Sequence, residues 1–424
     1  MVTVSKLAGL TLKELQKVAK EMEINEKLIS QAKTKPELIR VILRHSAQKE
    51  GYEYVKGILE VLNDGHYGVL HVKGFTQKPQ DVYVSSAQIR NFGLRTGDIV
   101  EGMARAYKEG QDKLRNMLRV DFVGGHLAIE AKKRPHFYEK KPVFPNRRLR
   151  LETQPDILST RIIDLLIPVG YGQRGMIVAP PKAGKTWLLK DIANGITTNN
   201  PEAYLMVVLV GERPEEVTDM ERSVKGEVIA SNFDEPPSHN VKVAELALEK
   251  AKRLVEWGHN VVILMDSITR LARAYNLSMP SSGRTLTGGF DPVAIYPPKR
   301  FFGAARNFED GSSLTILATA LVQTGSKMDD LIYEEFKGTG NMELHLDREL
   351  AERRIYPAIN VQKSGTRRED LLFTKEELQV AWMLRRILDS VKKEGEDPTE
   401  FLIEKLKSTD SNAAFIQRIL SGQA

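Results

Sequence analysis

The stretch that most limits what this chain can fold into is Gly175-Met-Ile-Val-Ala179, then Pro-Pro-Lys182-Ala183-Gly184-Lys185-Thr186, then Trp187 to Ile196. A short apolar run leads into a turn of small residues and proline, and then into apolar positions at helical spacing. That is strand, loop and helix, the context a P-loop requires. In such a loop backbone N–H groups converge on phosphate oxygens at the helix N-terminus, which explains the small residues around Gly184. Lys185 reaches the β and γ phosphates, and Thr186 offers a hydroxyl to magnesium, a hard cation that takes oxygen ligands. The first motif position is Ala179 rather than glycine. ATP and Mg2+ are the expected ligands, on a mostly parallel sheet with crossover helices.

Two further strands end in acids. Val261-Val-Ile-Leu-Met-Asp266 delivers a carboxylate to the C-terminal edge of a sheet, where it is the expected acid of the magnesium shell. In isolation Asp266 would equally serve as the cap of the helix that follows. Tyr204 to Val210 runs into Gly211-Glu212-Arg213-Pro214-Glu215-Glu216. Hydrolysis needs an oriented water, and Glu212 is the carboxylate placed to polarise it. Glu215 and Glu216 open the next helix, where acids favour the positive end of the dipole.

A length of 424 residues implies two or three domains. Residues 1–48 carry helical periodicity, with Thr11/Glu14 and Thr34/Glu37 as capping boxes and Pro36 in a first turn. This is an N-terminal helical bundle. Residues 49–128 change to five short alternating segments, Tyr54 to Leu62, Gly68 to Val72, Asp81 to Val84, Ile99 to Ala106 and Leu114 to Val123, separated by turns such as Asn63-Asp64-Gly65. Five short strands make a small barrel. If it is an oligonucleotide-binding fold, Tyr67, Phe75, Tyr83 and Tyr107 are available for base stacking, although an aromatic on a strand is as often core. Residues 129–152 form a basic linker. Its 132–150 portion holds eight Lys or Arg against one Glu, with three prolines that disfavour regular structure. Residues 153–424 alternate strands and helices and hold the P-loop.

Composition excludes several classes. There are no cysteines, so disulfides, thiolate metal sites and cysteine nucleophiles are ruled out. No stretch approaches the roughly 18 apolar residues of a membrane span, and the N-terminus does not read as a signal peptide. A cytoplasmic protein with no membrane partner is expected. The net charge of +6 is too mild to establish a nucleic-acid partner by itself.

APPKAGKT, GERPEEV, MDSITRLARAYN, SSGRTLTGGFDP, TGSKMDDLIYEEFKGTGNMELHL and KSGTRREDLL together resemble the Rho family of bacterial transcription termination factors. The resemblance covers the ATPase region and extends to the order of the parts in front of it. It implies a multidomain α+β chain with a RecA-like ATPase domain, working as a homohexamer with ATP between subunits. It further implies an RNA-dependent ATPase that moves 5′ to 3′ on single-stranded RNA and releases transcripts from the RNA polymerase elongation complex. Carried over residue by residue, Lys185, Thr186, Asp266 and Glu212 keep the roles given above. Lys182 matches a further P-loop lysine, Arg213 an interfacial arginine, Arg354 an arginine near the nucleotide, and Tyr356 an aromatic that stacks on adenine. Ala183 and Trp187 complete the ATP-binding set, and Arg367 matches the arginine finger that reaches a neighbour's ATP. Two loops, Ser281 to Gly289 with Arg284 and Gly288, and Thr324 to Lys327, resemble ring-centre RNA contacts. Taken one at a time, such arginines would read as surface salt bridges.

The barrel departs from the family pattern. Asp64-Gly65-His66-Tyr67-Gly68-Val69-Leu70 keeps Tyr67 but has Val69 where a second aromatic is usual, while Asp81-Val82-Tyr83-Val84 agrees. Gly110 to Asn116 lacks the expected acid and aromatic, which puts the family's cytosine preference in doubt. Two other readings compete with this one. A rotary or export ATPase subunit shares the core but does not bring the two loops together, and an ATP-binding RNA chaperone would bind without productive turnover.

Overall fold

The computed structural model describes residues 2–62, 65–75, 78–107 and 114–422. The turn residues Asn63 and Asp64 and residues 110–113 of the Gly110 to Asn116 stretch lie outside the described residues. The chain divides into two compact units, Met1–His136 with Leu246–Arg253, and Phe137–Glu245 with Leu254–Ala424.

The first unit begins with helices α1 (Val4–Ala8), α2 (Leu12–Glu21), α3 (Glu26–Gln31) and α4 (Lys35–Lys49). Thr11 and Thr34 each accept from the backbone N–H three residues on, and Glu14 and Glu37 reach back, so both capping boxes form. Five strands follow, β1 (Tyr52–Leu62), β2 (Tyr67–His71), β3 (Val82–Ser85), β4 (Ile99–Arg105) and β5 (Arg115–Val123), with a two-residue β6 (His126–Leu127). They run in the order β3-β2-β1-β4-β5-β6, and β3 also pairs with β5, which closes the barrel. Helix α5 (Ser86–Phe92) fills the connection between β3 and β4, capped by a Ser85/Gln88 box and ended by Gly93 at φ 61°. The helical piece shares a core with the barrel. Leu15, Leu38, Ile42 and Leu43 pack with Phe122 of β5, and each such apolar side chain contributes about 1.5–3 kcal/mol on burial.

The second unit is a sheet covered by helices. Its strands are β7 (Pro142–Val143), β8 (Arg148–Leu149), β9 (Val169–Gly170), β10 (Arg174–Ala179), β11 (Ala203–Glu212), β12 (Glu227–Asn232), β13 (Asn260–Asp266), β14 (Arg306–Phe308), β15 (Ser313–Leu321), β16 (Met342–His345) and β17 (Gly365–Thr366). Its helices are α6 (Leu158–Leu166), α7 (Lys185–Asn199), α8 (Pro214–Ser223), α9 (Pro237–Glu256, apart from its Leu246–Arg253 portion, which is counted with the first unit), α10 (Ile268–Ser278), α11 (Tyr296–Gly303), α12 (Lys327–Phe336), α13 (Arg348–Glu352), α14 (Lys375–Lys393), α15 (Pro398–Lys407) and α16 (Asn412–Leu420). The main path is β12-β11-β13-β15-β10-β16-β17, with parallel pairing from β12 to β16. Buried runs such as Val261–Met265 and Ile316–Ala318 suit strands covered on both faces.

The basic stretch expected to be irregular is built into structure. β7 pairs with β14 and β8 with β9, while Phe137 is buried against Phe308. Its charges are used locally: Lys141 meets Glu309 at 3.0 Å and Arg148 meets Glu377 at 3.1 Å. Proline is compatible with these strands because they are two residues long, with Pro142 at the first position of β7.

Candidate nucleotide and RNA sites

β10 ends at Ala179, and the chain turns through Lys182 (φ 65°) and Gly184 (φ 90°) into α7, whose first residue is Lys185. A β-carbon on Gly184 would sit 3.7 Å from the ring of Tyr356, so glycine both permits the turn and brings that ring beside the loop. Lys185 Nζ lies 2.6 Å from Asp266 Oδ1 and 3.5 Å from Glu212 Oε1. The three residues chosen from separate motifs therefore meet in space. Ser267, not Asp266, caps α10, accepting from Arg270 N. Asp266 is thereby free to face Lys185.

The carboxylates are fixed by groups the motif reading did not include. Thr319 Oγ1 donates to Asp266 Oδ1 at 2.8 Å. Arg270 Nη2 lies 3.2 Å from Glu212 Oε1, and its Nη1 donates to the carbonyl of Gly211. Gly211 at φ 61° sits at an irregularity between β11 and β12 that re-aims Glu212. Burial pushes the Glu212 carboxyl above the usual carboxylate range, and neighbouring Asp266 adds to this, while Lys185 and Arg270 pull it back. Arg270 was visible in principle, since it stands four residues beyond Asp266 on a capped helix. Thr319 carries no such signal, because it is buried in the apolar run Leu314–Leu321.

The remaining nucleotide candidates are arranged less tightly. Ala183 is buried, whereas Trp187 is 74% exposed, with Lys190 Nζ 5.5 Å from its ring. Tyr356 is half-exposed. Arg354 is exposed at φ 62°, and exposed Arg213 lies 3.8 Å from Glu216. Arg367 is exposed beside an open cavity of about 540 Å³ that it shares with Asn341, Trp382 and Arg385; none of the lining residues belongs to the P-loop.

The two loops come together. A β-carbon on Gly288 would lie 2.7 Å from Met328 N, so Gly288 packs directly on the backbone beside Lys327. Arg284 and Lys327 are both exposed. Asp329 anchors the second loop by accepting from Thr324 Oγ1 at 2.6 Å and from Nε and Nη2 of Arg273 at 2.7 and 2.6 Å. Arg270 and Arg273 are thus about one turn apart on α10, one holding Glu212 and the other holding the loop.

In the barrel, Tyr67 and Tyr83 stack with ring centroids 5.7 Å apart and planes inclined by 18°. Val69 pairs in register with Tyr83 and so shares the face of the two tyrosines, but it is buried and offers no exposed surface for stacking. Beside them His71 is enclosed, its Nδ1 2.7 Å from Asp81 and its Nε2 2.9 Å from Glu60. Burial opposes the imidazolium, but hydrogen bonds to both carboxylates outweigh it and the His71 pKa is raised.

Residues 159–366 match the ATP synthase alpha/beta family nucleotide-binding domain, and residues 55–128 match the Rho termination factor RNA-binding domain. The chain is 54% identical to transcription termination factor Rho of Bacillus subtilis over 98% of this chain and 95% of that protein. It is 52% identical to the Aquifex aeolicus protein of that name, over 96% and 93%. The Streptomyces lividans protein of that name is 58% identical over 86% of this chain but only 51% of its own length. Among solved structures, an ATPase of a bacterial type III secretion system aligns with a TM-score of 0.53 at 25% identity, over 67% of this chain and 86% of that one. That solved ATPase covers about two thirds of this chain, whereas the Bacillus subtilis and Aquifex aeolicus relatives cover nearly all of it. Among the described residues no helix is long and apolar enough to cross a membrane. The chain is a P-loop ATPase with an RNA-binding domain, and it belongs to the transcription termination factor Rho family.

Proposed function

We propose that this chain hydrolyses ATP to move 5′ to 3′ along single-stranded RNA, and that it frees transcripts from the RNA polymerase elongation complex as a cytoplasmic homohexamer. The observation that carries the coupling is α10, which holds Glu212 through Arg270 and the Lys327 loop through the Arg273–Asp329 pair.

In this reading Lys185 leaves Asp266 and Glu212 to bind the β and γ phosphates, and Tyr356 stacks on the base. Glu212, with its raised proton affinity, orients and deprotonates the attacking water. Arg270 keeps that carboxylate aimed. Arg367, exposed away from its own P-loop, offers a planar cation to the nucleotide of a neighbouring copy, and Arg213 and Arg354 belong to the same boundary.

Thr186 and Asp266 would hold Mg2+. Their all-oxygen donors suit a hard cation, and the Lys185 ammonium already marks a cation position against Asp266. When bound, the ion neutralises charge on the phosphate oxygens.

Arg284, Lys327 and the backbone around Gly288 contact RNA in the ring, while Tyr67 and Tyr83 stack on bases at the barrel. ATP turnover measured with and without single-stranded RNA homopolymers tests the whole. Strong stimulation is expected, and turnover indifferent to every RNA would refute the coupling.

A further inference from the structure

β15 lies between the two strands that carry the nucleotide motifs, pairing with β13 on one side and β10 on the other. Thr319 is opposite Ile177 of β10, and Ala318 is opposite Met265, the residue before Asp266. The Thr319 side chain is fully buried, and its hydroxyl donates to Asp266 Oδ1, the same oxygen that receives Lys185. The end of β15 is tied on both sides: Leu321 N donates to Thr269 Oγ1 at 2.9 Å, and Val322 N donates to the Ala179 carbonyl at 3.3 Å. Thr319 thus stands on a strand end clamped to the P-loop strand and to the turn after Asp266.

We propose that Thr319 is a positioning residue for the metal of the nucleotide site, fixing the Asp266 carboxylate when Lys185 turns to the phosphates. The proposal rests on the reading of Asp266 as the acid on the magnesium side. An aspartate carboxylate has a soft terminal torsion, so a lone acid rotates unless a neighbour holds it. Lys185 cannot be that neighbour, because the same ammonium is needed by the phosphates. The Thr319 hydroxyl has no such second task. Magnesium tolerates little distortion of its octahedron, so a carboxylate free to rotate binds it less well. Partners that orient metal-side ligands are typically worth 10- to 100-fold in metal affinity.

The experiment uses the full chain with ADP and reads Mn2+ binding directly by electron paramagnetic resonance, alongside binding of a fluorescent ATP analogue in EDTA. Thr319→Val keeps the shape and removes the hydroxyl, and about tenfold weaker Mn2+ binding is expected with analogue binding in EDTA unchanged. Thr319→Ser, which keeps the hydroxyl, should restore the affinity to within about twofold of the unmodified chain. Thr319→Ala serves the same purpose should the valine variant not fold. Unchanged Mn2+ affinity in the hydroxyl-free variants, with Asp266→Asn weakened, overturns the role of Thr319 alone. Equal weakening in the serine and valine variants also overturns it, since packing would then be the cause. An Asp266→Asn variant that keeps full affinity removes the underlying reading of Asp266, and the proposal with it.

Discussion

The nucleotide site and the barrel handle charge in opposite ways. At the proposed nucleotide site an ammonium and two carboxylates from one helix and two strands are paired with one another. In the barrel the His71 imidazole is held between the carboxylates of Asp81 and Glu60 within the fold, and the stacked rings of Tyr67 and Tyr83 are the groups proposed for a ligand. Phosphoryl transfer requires charged atoms at fixed separations, whereas stacking requires only a ring face of suitable orientation. The first site is therefore intolerant of substitution, and the second should degrade gradually.

The sharpest way to break this contrast is Lys185→Ala. Hydrolysis should fall to background while RNA binding at the barrel is retained, as read by turnover and by RNA filter binding. Arg367→Ala should lower RNA-stimulated turnover by roughly 10³ to 10⁵ if it acts as an arginine finger. Mixing it with Lys185→Ala subunits should restore part of the activity, because some boundaries then have both groups; a loss under tenfold would make Arg367 an ordinary surface residue. Glu212→Gln should cost on the order of 10² in turnover and leave nucleotide affinity intact by equilibrium titration. On the barrel side, Tyr67→Ala or Tyr83→Ala should weaken single-stranded RNA binding by about 5- to 150-fold, from a stacking loss of about 1–3 kcal/mol per base. Turnover at saturating RNA should change little. If either tyrosine variant abolished hydrolysis outright, the two sites would not be separable in the way the contrast requires.

The smallest effect concerns pH. His71 has its folded-state pKa raised above the ordinary value of 6.5. Its charged pairing with Asp81 and Glu60 therefore contributes fully below that ordinary value and is lost as pH rises through the folded-state pKa. Barrel unfolding, followed by amide exchange across β1 to β3, should become easier over that rise. His71→Gln should flatten the trend. A trend that survives the substitution would assign the effect to another group.

The meeting of the proposed nucleotide-site residues was legible because they stand in contiguous motifs at strand ends. Lys185, Glu212 and Asp266 needed only the rule that a parallel sheet delivers its C-terminal edges to one place. Arg270 required helix geometry in addition. Thr319 was illegible, since a threonine inside an apolar strand gives no clue to its partner. The barrel strands were placed to within about two residues, which is the ordinary uncertainty of an element boundary. α5 was passed over although Ser85 and Gln88 form the same capping box that announced α2 and α4. The charged cluster around His71 was not legible, because Glu60 and Asp81 are distant in sequence and meet the imidazole only once β1, β2 and β3 lie side by side. In the stretch 132–150 proline content argued against regular structure, but two-residue strands need few ladder hydrogen bonds and can include it.

β15 does more than pass between the motif strands: six residues beyond Thr319 it has already become the tip of the Lys327 loop, at Gly325. A central strand held by hydrogen bonds on both sides neither stretches nor slides easily, so the loop is mounted like a stylus on a strand braced from both sides. Tension applied to a bound strand would then be felt at the nucleotide instead of being absorbed by slack. The mechanical expectation is a motor that stalls under opposing load and stops consuming fuel as it does so. Single-molecule force measurements with simultaneous counting of hydrolysis events would register idle consumption at stall if the mounting were compliant.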